Sequence, residues 1–197
     1  MIRIVLGNVT FSNVEAIIIP SNCQCKLRGR VQLMILPHTL EYIENLSKDI
    51  LTQKKINVGE FIKTPAYKLK RRGIKYIYQA ILSDFYNSYS DTCELKKSLR
   101  NIFNDAIKNK LKSIAVPAVG YRDYGFNAKI LSNTIVNTAI NYQDEINIYL
   151  IDDICEYYDS NISICNTLGI EYKNIKLKLG EKGLYSNEIR DQYKEIE

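Results

Sequence analysis

Apolar residues occur along this chain in two patterns, as short unbroken runs and as longer stretches with helical spacing. The clearest helical stretch sets one apolar face against lysine, arginine and aspartate side chains, through Leu95, Leu99, Ile102, Phe103, Ala106, Ile107 and Leu111. Three further helices are predicted: one capped by Thr39 that runs to about Gln53, one over Ala128–Tyr142, and one capped by Asp152-Asp153 that runs to about Leu168 and is closed by Gly169.

The short runs predict strands, in chain order Ile2–Leu6, Ala16–Ile19, Gly59–Leu69, Ile74–Leu82, Ser113–Val116, Ile146–Ile151 and Ile175–Leu179. Ala16–Ile19 is apolar at every position, which is typical of a strand covered on both faces. The alternation of strands and helices therefore predicts an α/β fold, a three-layer α/β/α sandwich. Residues 1–168 are expected to form this domain. Residues 169–197 are expected to be a C-terminal extension with an edge strand and a polar tail.

Composition and the lengths of the apolar runs add four limits. The 197 residues include 27 basic and 22 acidic side chains, and the net charge of +5 permits an anionic ligand without by itself indicating nucleic acid. Five cysteines, an odd number in a chain this long, favour reduced thiols and a cytoplasmic location. With His38 as the single histidine, no metal site is expected. No apolar run approaches the roughly 18 residues of a membrane span.

The stretch Ser113–Phe126 indicates where a ligand would bind. Its apolar strand ends at Pro117 and enters a loop that contains Gly120 and Gly125, and a helix pattern begins near Ala128. In an open α/β sheet, ligands bind where a strand's carboxyl end meets a glycine-bearing turn and a helix start. This loop is therefore the predicted centre of the site.

The chain carries four stretches in order: Gly7–Thr10, Glu15–Asn22, Gly59–Tyr67 and Ser113–Phe126. Together they resemble the macro domain, an ADP-ribose-binding α/β/α module. The first is similar to the family's Gly-Asp-Ile-Thr, the second to its Asp-Ala-Ile-Val-Asn-Ala-Ala-Asn, and the last to its Ser-Ile-Ala-Phe-Pro-Ala-Ile-Gly-Thr-Gly-Ile-Tyr-Gly-Phe. The resemblance covers about residues 1–165 and implies a mixed, mostly parallel central sheet.

The resemblance also implies two phosphate-binding loops. These comprise Arg28, Gly29, Arg30 and Val31 in the first loop, and Gly120, Tyr121, Arg122, Tyr124, Gly125 and Phe126 in the second. Both loops depart from the family, because Gly29 stands alone where the family is glycine-rich and Tyr121-Arg122 replaces Thr-Gly. Two interpretations stay open: the arginines clamp a phosphorylated ligand by bidentate hydrogen bonds, or the loops have degenerated and the arginines face solvent. Tyr124 and Phe126 pack either on the ligand or in the core.

Four other positions complete the implied site. Asn22 matches the family asparagine at the distal ribose, and its amide can donate and accept hydrogen bonds, although asparagine also favours turns. Asn8, followed by Val9, stands where the family has the aspartate that accepts from the adenine amino group. Ile151 stands where many members present an aromatic ring to the adenine, and is expected to leave an apolar wall.

Hydrolysis by either route of the family is not supported by the residues. Gln32 and Leu36 stand where one branch has an aspartate and a histidine, and glutamine cannot act as a carboxylate base. A second branch uses a strand lysine that forms a covalent intermediate with the ribose. Lys70, with Asp123 as the acid, is a weak candidate for that arrangement.

Three hypotheses follow from the sequence. The first is a binding module for ADP-ribose or a related NAD-derived, anionic nucleotide, with degenerate phosphate loops and without a cofactor. An ADP-ribosylated protein is then a further partner. The second is an ADP-ribosyl hydrolase with a non-standard lysine and aspartate site. The third is a pseudo-macro domain that acts in protein or nucleic-acid interaction.

Overall fold

The computed structural model describes residues 1–27, 31, 34–35, 37–84, 91–177 and 195–196. In this part of the chain eight strands alternate with four α-helices: β1 Ile2–Leu6, β2 Ala16–Asn22, α1 Pro37–Gln53, β3 Phe61–Pro65, β4 Tyr76–Ser83, α2 Thr92–Lys108, β5 Ser113–Val116, α3 Ala128–Ala139, β6 Asn147–Asp152, α4 Cys155–Leu168, β7 Tyr172–Leu177 and β8 Glu195–Ile196. Two 3-10 helices, Val9–Phe11 and Tyr67–Arg72, lie in the connections after β1 and β3.

The described strands form one sheet in the order β3-β4-β2-β5-β6-β1-β7-β8. Each neighbouring pair from β4 to β7 is parallel, whereas β3 and β8 run antiparallel to their neighbours at the two edges. The prediction of a mixed, mostly parallel sheet is confirmed. Because parallel strands place all their carboxyl ends at one edge, the loops after β1, β2, β5 and β6 meet there.

Helices cover both faces of the sheet. Side chains such as Ile4 and Ile18 point toward the layer of α2, α3 and α4, while Val5 and Ile17 point toward α1 and the 3-10 helices. Complete burial of each such isoleucine contributes about 1.5–3 kcal/mol. This double coverage explains the unbroken apolar runs and confirms the three-layer α/β/α sandwich.

Several predicted boundaries differ from the structure. Helix α1 begins at Pro37, whose fixed φ suits a first helical turn, so Thr39 is a buried residue within that turn and not the cap. The strand predicted over Gly59–Leu69 ends at Pro65, and the 3-10 helix follows. Strand β2 continues through Pro20 to Asn22.

The C-terminal segment joins the sheet. Strand β7 pairs in parallel with β1 along its length, from Ile2 opposite Tyr172 to Leu6 opposite Lys176, and β8 pairs with its end. Gly169 closes α4 in the left-handed conformation that the sequence predicts there. The division of the chain at residue 169 stays a prediction. In the described part of the chain, every helix falls short of the length and apolarity that a membrane span requires.

Candidate functional site

The candidate site lies at the carboxyl edge of the four adjacent strands β2, β5, β6 and β1. Asn22 ends β2, Asp152 ends β6, and Gly7 and Asn8 follow β1. The loop 117–126 follows β5, between β2 and β6. The fold therefore gathers most of the predicted ligand-binding residues at a single edge, although they are far apart in sequence.

The loop after β5 is a tight turn with three residues in the left-handed conformation. Gly120, Arg122 and Gly125 adopt positive φ angles of 91°, 58° and 85°. The Arg122 amide donates to the Phe126 carbonyl at 2.9 Å, and the Gly125 amide donates to the Arg122 carbonyl at 3.0 Å. Backbone turns with left-handed residues create concave surfaces that bind anions. The loop thus keeps a glycine-like conformation at Arg122 although a side chain is present.

Tyr121 and Arg122 differ in exposure, although their side chains are in contact. The Tyr121 ring is only 8% exposed, and its hydroxyl donates to the Glu156 carboxylate at the start of α4. That hydrogen bond raises the pKa of Tyr121. The Arg122 side chain is exposed, with its guanidinium carbon 4.9 Å from the Tyr121 ring centroid. Tyr121 therefore anchors the loop to α4, while Arg122 is exposed and lies over the Tyr121 ring.

Tyr124 and Phe126 belong to the core. They are 7% and 5% exposed and pack with the helices on the α2–α4 face. Burial raises the pKa of Tyr124 to about 12. Their placement agrees with the core-packing interpretation and leaves little of either ring for a ligand.

Asp152, predicted only as a helix cap, connects three parts of the site edge. Its side chain is fully buried; Oδ2 accepts from the Ala118 amide at 2.9 Å and Oδ1 from the Ile154 amide at 3.1 Å. Its backbone carbonyl accepts from the Gly7 amide at 2.9 Å. Asp152 thus fixes the β5 loop, the turn after β1 and the approach to α4. The cap itself falls on Ile154, without a side-chain hydrogen bond.

Asn22 orders the loop after β2. Its Oδ1 accepts from the Gln24 amide at 3.0 Å and the Lys26 amide at 3.3 Å. The oxygen therefore serves the turn, and the amide nitrogen makes no hydrogen bond to the described residues. Arg28, Gly29 and Arg30, predicted in the first phosphate loop, lie outside the described residues. The next residue in that prediction, Val31, is buried.

The side chain of Asn8 is held by the 3-10 helix that follows it. Its Oδ1 accepts from the Thr10 amide at 2.9 Å and from the Thr10 hydroxyl at 2.8 Å. Val9 and Ile151 pack together in the core on the α1 side and are fully buried. Ile151 therefore lies in the core beneath the site and exposes no surface to a ligand.

Lys70 and Asp123 are not brought together. Lys70 lies in the 3-10 helix after Pro65, and Pro65 pairs with Tyr76 at the amino end of β4. Asp123 lies in the loop at the carboxyl end of β5. The two edges are separated by at least the four residues of β5, which span roughly 13 Å. Gln32 and Leu36 fall outside the described residues.

The family model described as Macro domain matches residues 19–135, which is more than half of the chain. The chain belongs to the macro domain family. Relatives of this macro domain include an uncharacterized protein of Pyrococcus furiosus, which is 27% identical in an alignment of 149 residues; the match covers 71% of this chain and 81% of that protein. An ADP-ribose glycohydrolase of Archaeoglobus fulgidus is 30% identical over 92 residues, 45% of this chain and 47% of that protein.

Solved macrodomains share the fold of this macro domain. A mutant macrodomain of Oceanobacillus iheyensis with ADPR has a TM-score of 0.71 at 19% identity, covering 83% of this chain and 91% of that chain. The Trypanosoma brucei macrodomain in complex with ADP-ribose has a TM-score of 0.65 at 19% identity, covering 82% of this chain and 68% of that chain. The family resemblance and the fold class predicted from the sequence are both confirmed.

Proposed function

We propose that this macro domain binds ADP-ribose or a related NAD-derived nucleotide at the carboxyl edge of its sheet, without turning it over. The observation that carries this proposal is the backbone of the β5 loop. It keeps three positive φ angles in six residues, and the Arg122 side chain is exposed at its surface. Left-handed residues shape a concave backbone turn, and an exposed arginine beside it can pair with the charge of a diphosphate.

Family membership supports the same proposal, because solved macrodomains with this fold hold ADP-ribose or ADP. Titration calorimetry of the full chain with ADP-ribose is the direct test. Measurable heat with a stoichiometry near one supports the proposal. If ADP-ribose and its base-modified derivatives give no heat, the binding hypothesis is wrong and an interaction module without a nucleotide takes its place.

Arg122→Glu is expected to weaken ADP-ribose binding at least about tenfold. A hydrogen bond to a charged group contributes about 1.5–3 kcal/mol, and glutamate adds repulsion of the phosphates. Arg100→Glu is the matched control, because Arg100 is exposed on α2 and the charge change is identical. Calorimetry on both variants separates a contact at Arg122 from a general effect of net charge.

Arg122→Gly tests the same side chain by a different route. Glycine adopts a φ of 58° without strain, so this variant is expected to fold at least as stably as the natural chain while losing affinity. A gain in affinity would show that the arginine obstructs the phosphate position, which would contradict its proposed role as a clamp.

A hydrolase is the second candidate, favoured by the similarity to the Archaeoglobus fulgidus ADP-ribose glycohydrolase. The chain matches about half of that relative's length, so its activity is not transferred with the fold. Incubation with a mono-ADP-ribosylated protein tests this candidate, and complete retention of the modification would exclude it. If release occurs, Lys70→Ala is expected to leave its rate unchanged, because Lys70 lies at the opposite edge from Asp123. A cytoplasmic location and an ADP-ribosylated protein partner remain part of this proposal.

A further inference from the structure

The amino edge of the sheet, opposite the proposed nucleotide site, collects basic side chains from two segments that are distant in sequence. The first is the 3-10 helix Tyr67–Arg72 before β4, and the second comprises the end of α2 and the turn before β5. Strands β4 and β5 both start at this edge with only β2 between them, so their starts are about 10 Å apart. The exposed cations of the two segments are Lys68, Lys70, Arg71, Lys108, Lys110 and Lys112.

These six cations are not neutralised by their neighbours. In the described part of the chain, none of them forms a salt bridge with a carboxylate. Glu15 lies between the two segments, but its Oε1 is 2.6 Å from Lys75 Nζ and its Oε2 accepts from the Lys112 amide at 2.6 Å. Exposed acidic residues at the same edge, Asp144 and Glu145, precede β6. The half of the edge from β4 to β5 therefore presents a positive surface that suits a polyanion.

An exposed aromatic ring lies beside these charges. Tyr67 is 40% exposed, and its ring is stacked on that of Tyr42, with centroids 4.4 Å apart and planes inclined by 18°. Lys68 Nζ lies 5.8 Å from the centroid of the Tyr67 ring. Bases of any sequence stack on such rings while nearby cations bind the phosphates. An exposed ring on a positive surface is therefore typical of binding to single-stranded nucleic acid.

The backbone holds Tyr67 in an unfavourable conformation. Its φ is 45°, in the left-handed region that bulky side chains rarely adopt. Hydrogen bonds fix this turn, from the Ala66 amide to the Lys75 carbonyl at 3.0 Å and from the Leu69 amide to the Ala66 carbonyl at 2.9 Å. Leu69 is fully buried and anchors the 3-10 helix in the core. Strain that the surrounding structure maintains is common at binding sites, and here it keeps the ring in place before a ligand arrives.

We propose that this amino-edge surface binds a single strand of nucleic acid, with phosphates on the six cations and a base on the Tyr67 ring. A duplex keeps its bases stacked on one another and offers none to the ring, so a single strand is the better fit. The surface is separate from the proposed nucleotide site, because the two edges of the sheet are at least roughly 13 Å apart. A strand and ADP-ribose are therefore expected to bind at the same time.

Fluorescence anisotropy of the full chain with labelled oligothymidylate and oligouridylate of about 12 nucleotides tests this proposal. Binding of either strand, tighter than that of a duplex of the same length, supports it, and the tighter of the two identifies the preferred sugar. Absence of binding, equal affinity for the duplex, or displacement of the strand by saturating ADP-ribose would overturn it. If ADP-ribose itself does not bind, only the proposed nucleotide site is refuted, and the variants below still locate the strand.

Removal of charge locates the strand. Lys70→Gln combined with Arg71→Gln is expected to make the slope of log affinity against log salt shallower by about 1.4, because each phosphate contact to a single strand contributes about 0.7. Lys96→Gln combined with Arg100→Gln, on the part of α2 nearer the opposite edge, is the matched control and is expected to leave the slope unchanged. Equal changes in the two double variants would show that net charge, and not this edge, attracts the strand.

Tyr67→Gly tests the stacking of a base. Glycine adopts a φ of 45° without strain, so this variant is expected to remain folded without the ring. Its affinity for oligothymidylate is expected to fall about tenfold, whereas its affinity for an abasic strand of the same length is expected to match that of the natural chain. An equal loss for both strands would show that the ring only shapes the surface, and would overturn its proposed contact with a base.

Discussion

Asp152→Ala is expected to lower the free energy of unfolding by about 3–5 kcal/mol, because two backbone amides, of Ala118 and Ile154, lose the carboxylate that they meet at 2.9 and 3.1 Å. The side chain is fully buried, so water cannot replace it without rearrangement. Chemical denaturation followed by circular dichroism measures the change. The Gly7 bond to the Asp152 carbonyl survives, so the strand pairing of β1 with β6 is expected to persist.

The neighbouring residue provides the control for this prediction. Asp153 is exposed, and Asp153→Ala removes the same charge, with an expected change below about 1 kcal/mol. Asp152→Asn keeps one acceptor and places a donor against the other amide, so we expect a loss close to that of alanine. Equal stability of Asp152→Ala and Asp153→Ala would show that the buried carboxylate does not hold the β5 loop.

Ligand binding gives a second readout for Asp152. In the proposed site, the Asp152 carboxylate acts on the nucleotide only by holding the β5 loop in place. Asp152 is therefore a positioning residue. At temperatures where the variant remains folded, Asp152→Ala is expected to weaken ADP-ribose binding by about tenfold, as the Ala118 end of the loop loses its anchor. Arg122→Gly, by contrast, is expected to lower affinity without lowering stability.

The fold could be predicted in detail from the sequence because its signals are local. The unbroken run of β2 and the one-sided pattern of α2 each identify an element and its burial, and their alternation implies the sandwich. Boundaries were less predictable. Alternation alone could not indicate that β3 stops at Pro65, or that Pro37 and not Thr39 begins α1, because these depend on packing with other segments.

The site was predicted at the level of loops but not of side chains. The carboxyl edge and the glycines of the β5 loop follow from chain order. The direction of Tyr121 depends on Glu156, which is 35 residues away in α4. The role of Asp152 was missed because an acidic residue before a helix also fits a cap. An aspartate that directly ends an apolar strand is the signal that could have found it.

Gly120→Ala is expected to lower the free energy of unfolding by about 3 kcal/mol. A Cβ at this position would lie 2.9 Å from Phe126 Cδ2 and 3.2 Å from Leu82 Cδ1, both in the packed core. Overpacking of this kind costs about 1–3 kcal/mol, and the φ of 91° adds about 1–2 kcal/mol for a residue with a side chain. Denaturant titration measures the sum.

Gly169→Ala separates the two contributions. Gly169 also has a positive φ, of 65°, but a Cβ there meets no atom within 4 Å. This variant is therefore expected to lose only the backbone contribution, about 1 kcal/mol. The difference between the two variants in the free energy of unfolding measures the cost of the contact between the new Cβ and the side chains packed against Gly120, Phe126 above all. A double variant, Gly120→Ala with Phe126→Leu, is expected to cost less than the sum of its single changes, because the smaller side chain relieves the contact. Additive losses would mean that backbone strain, and not the ring, requires glycine at this position.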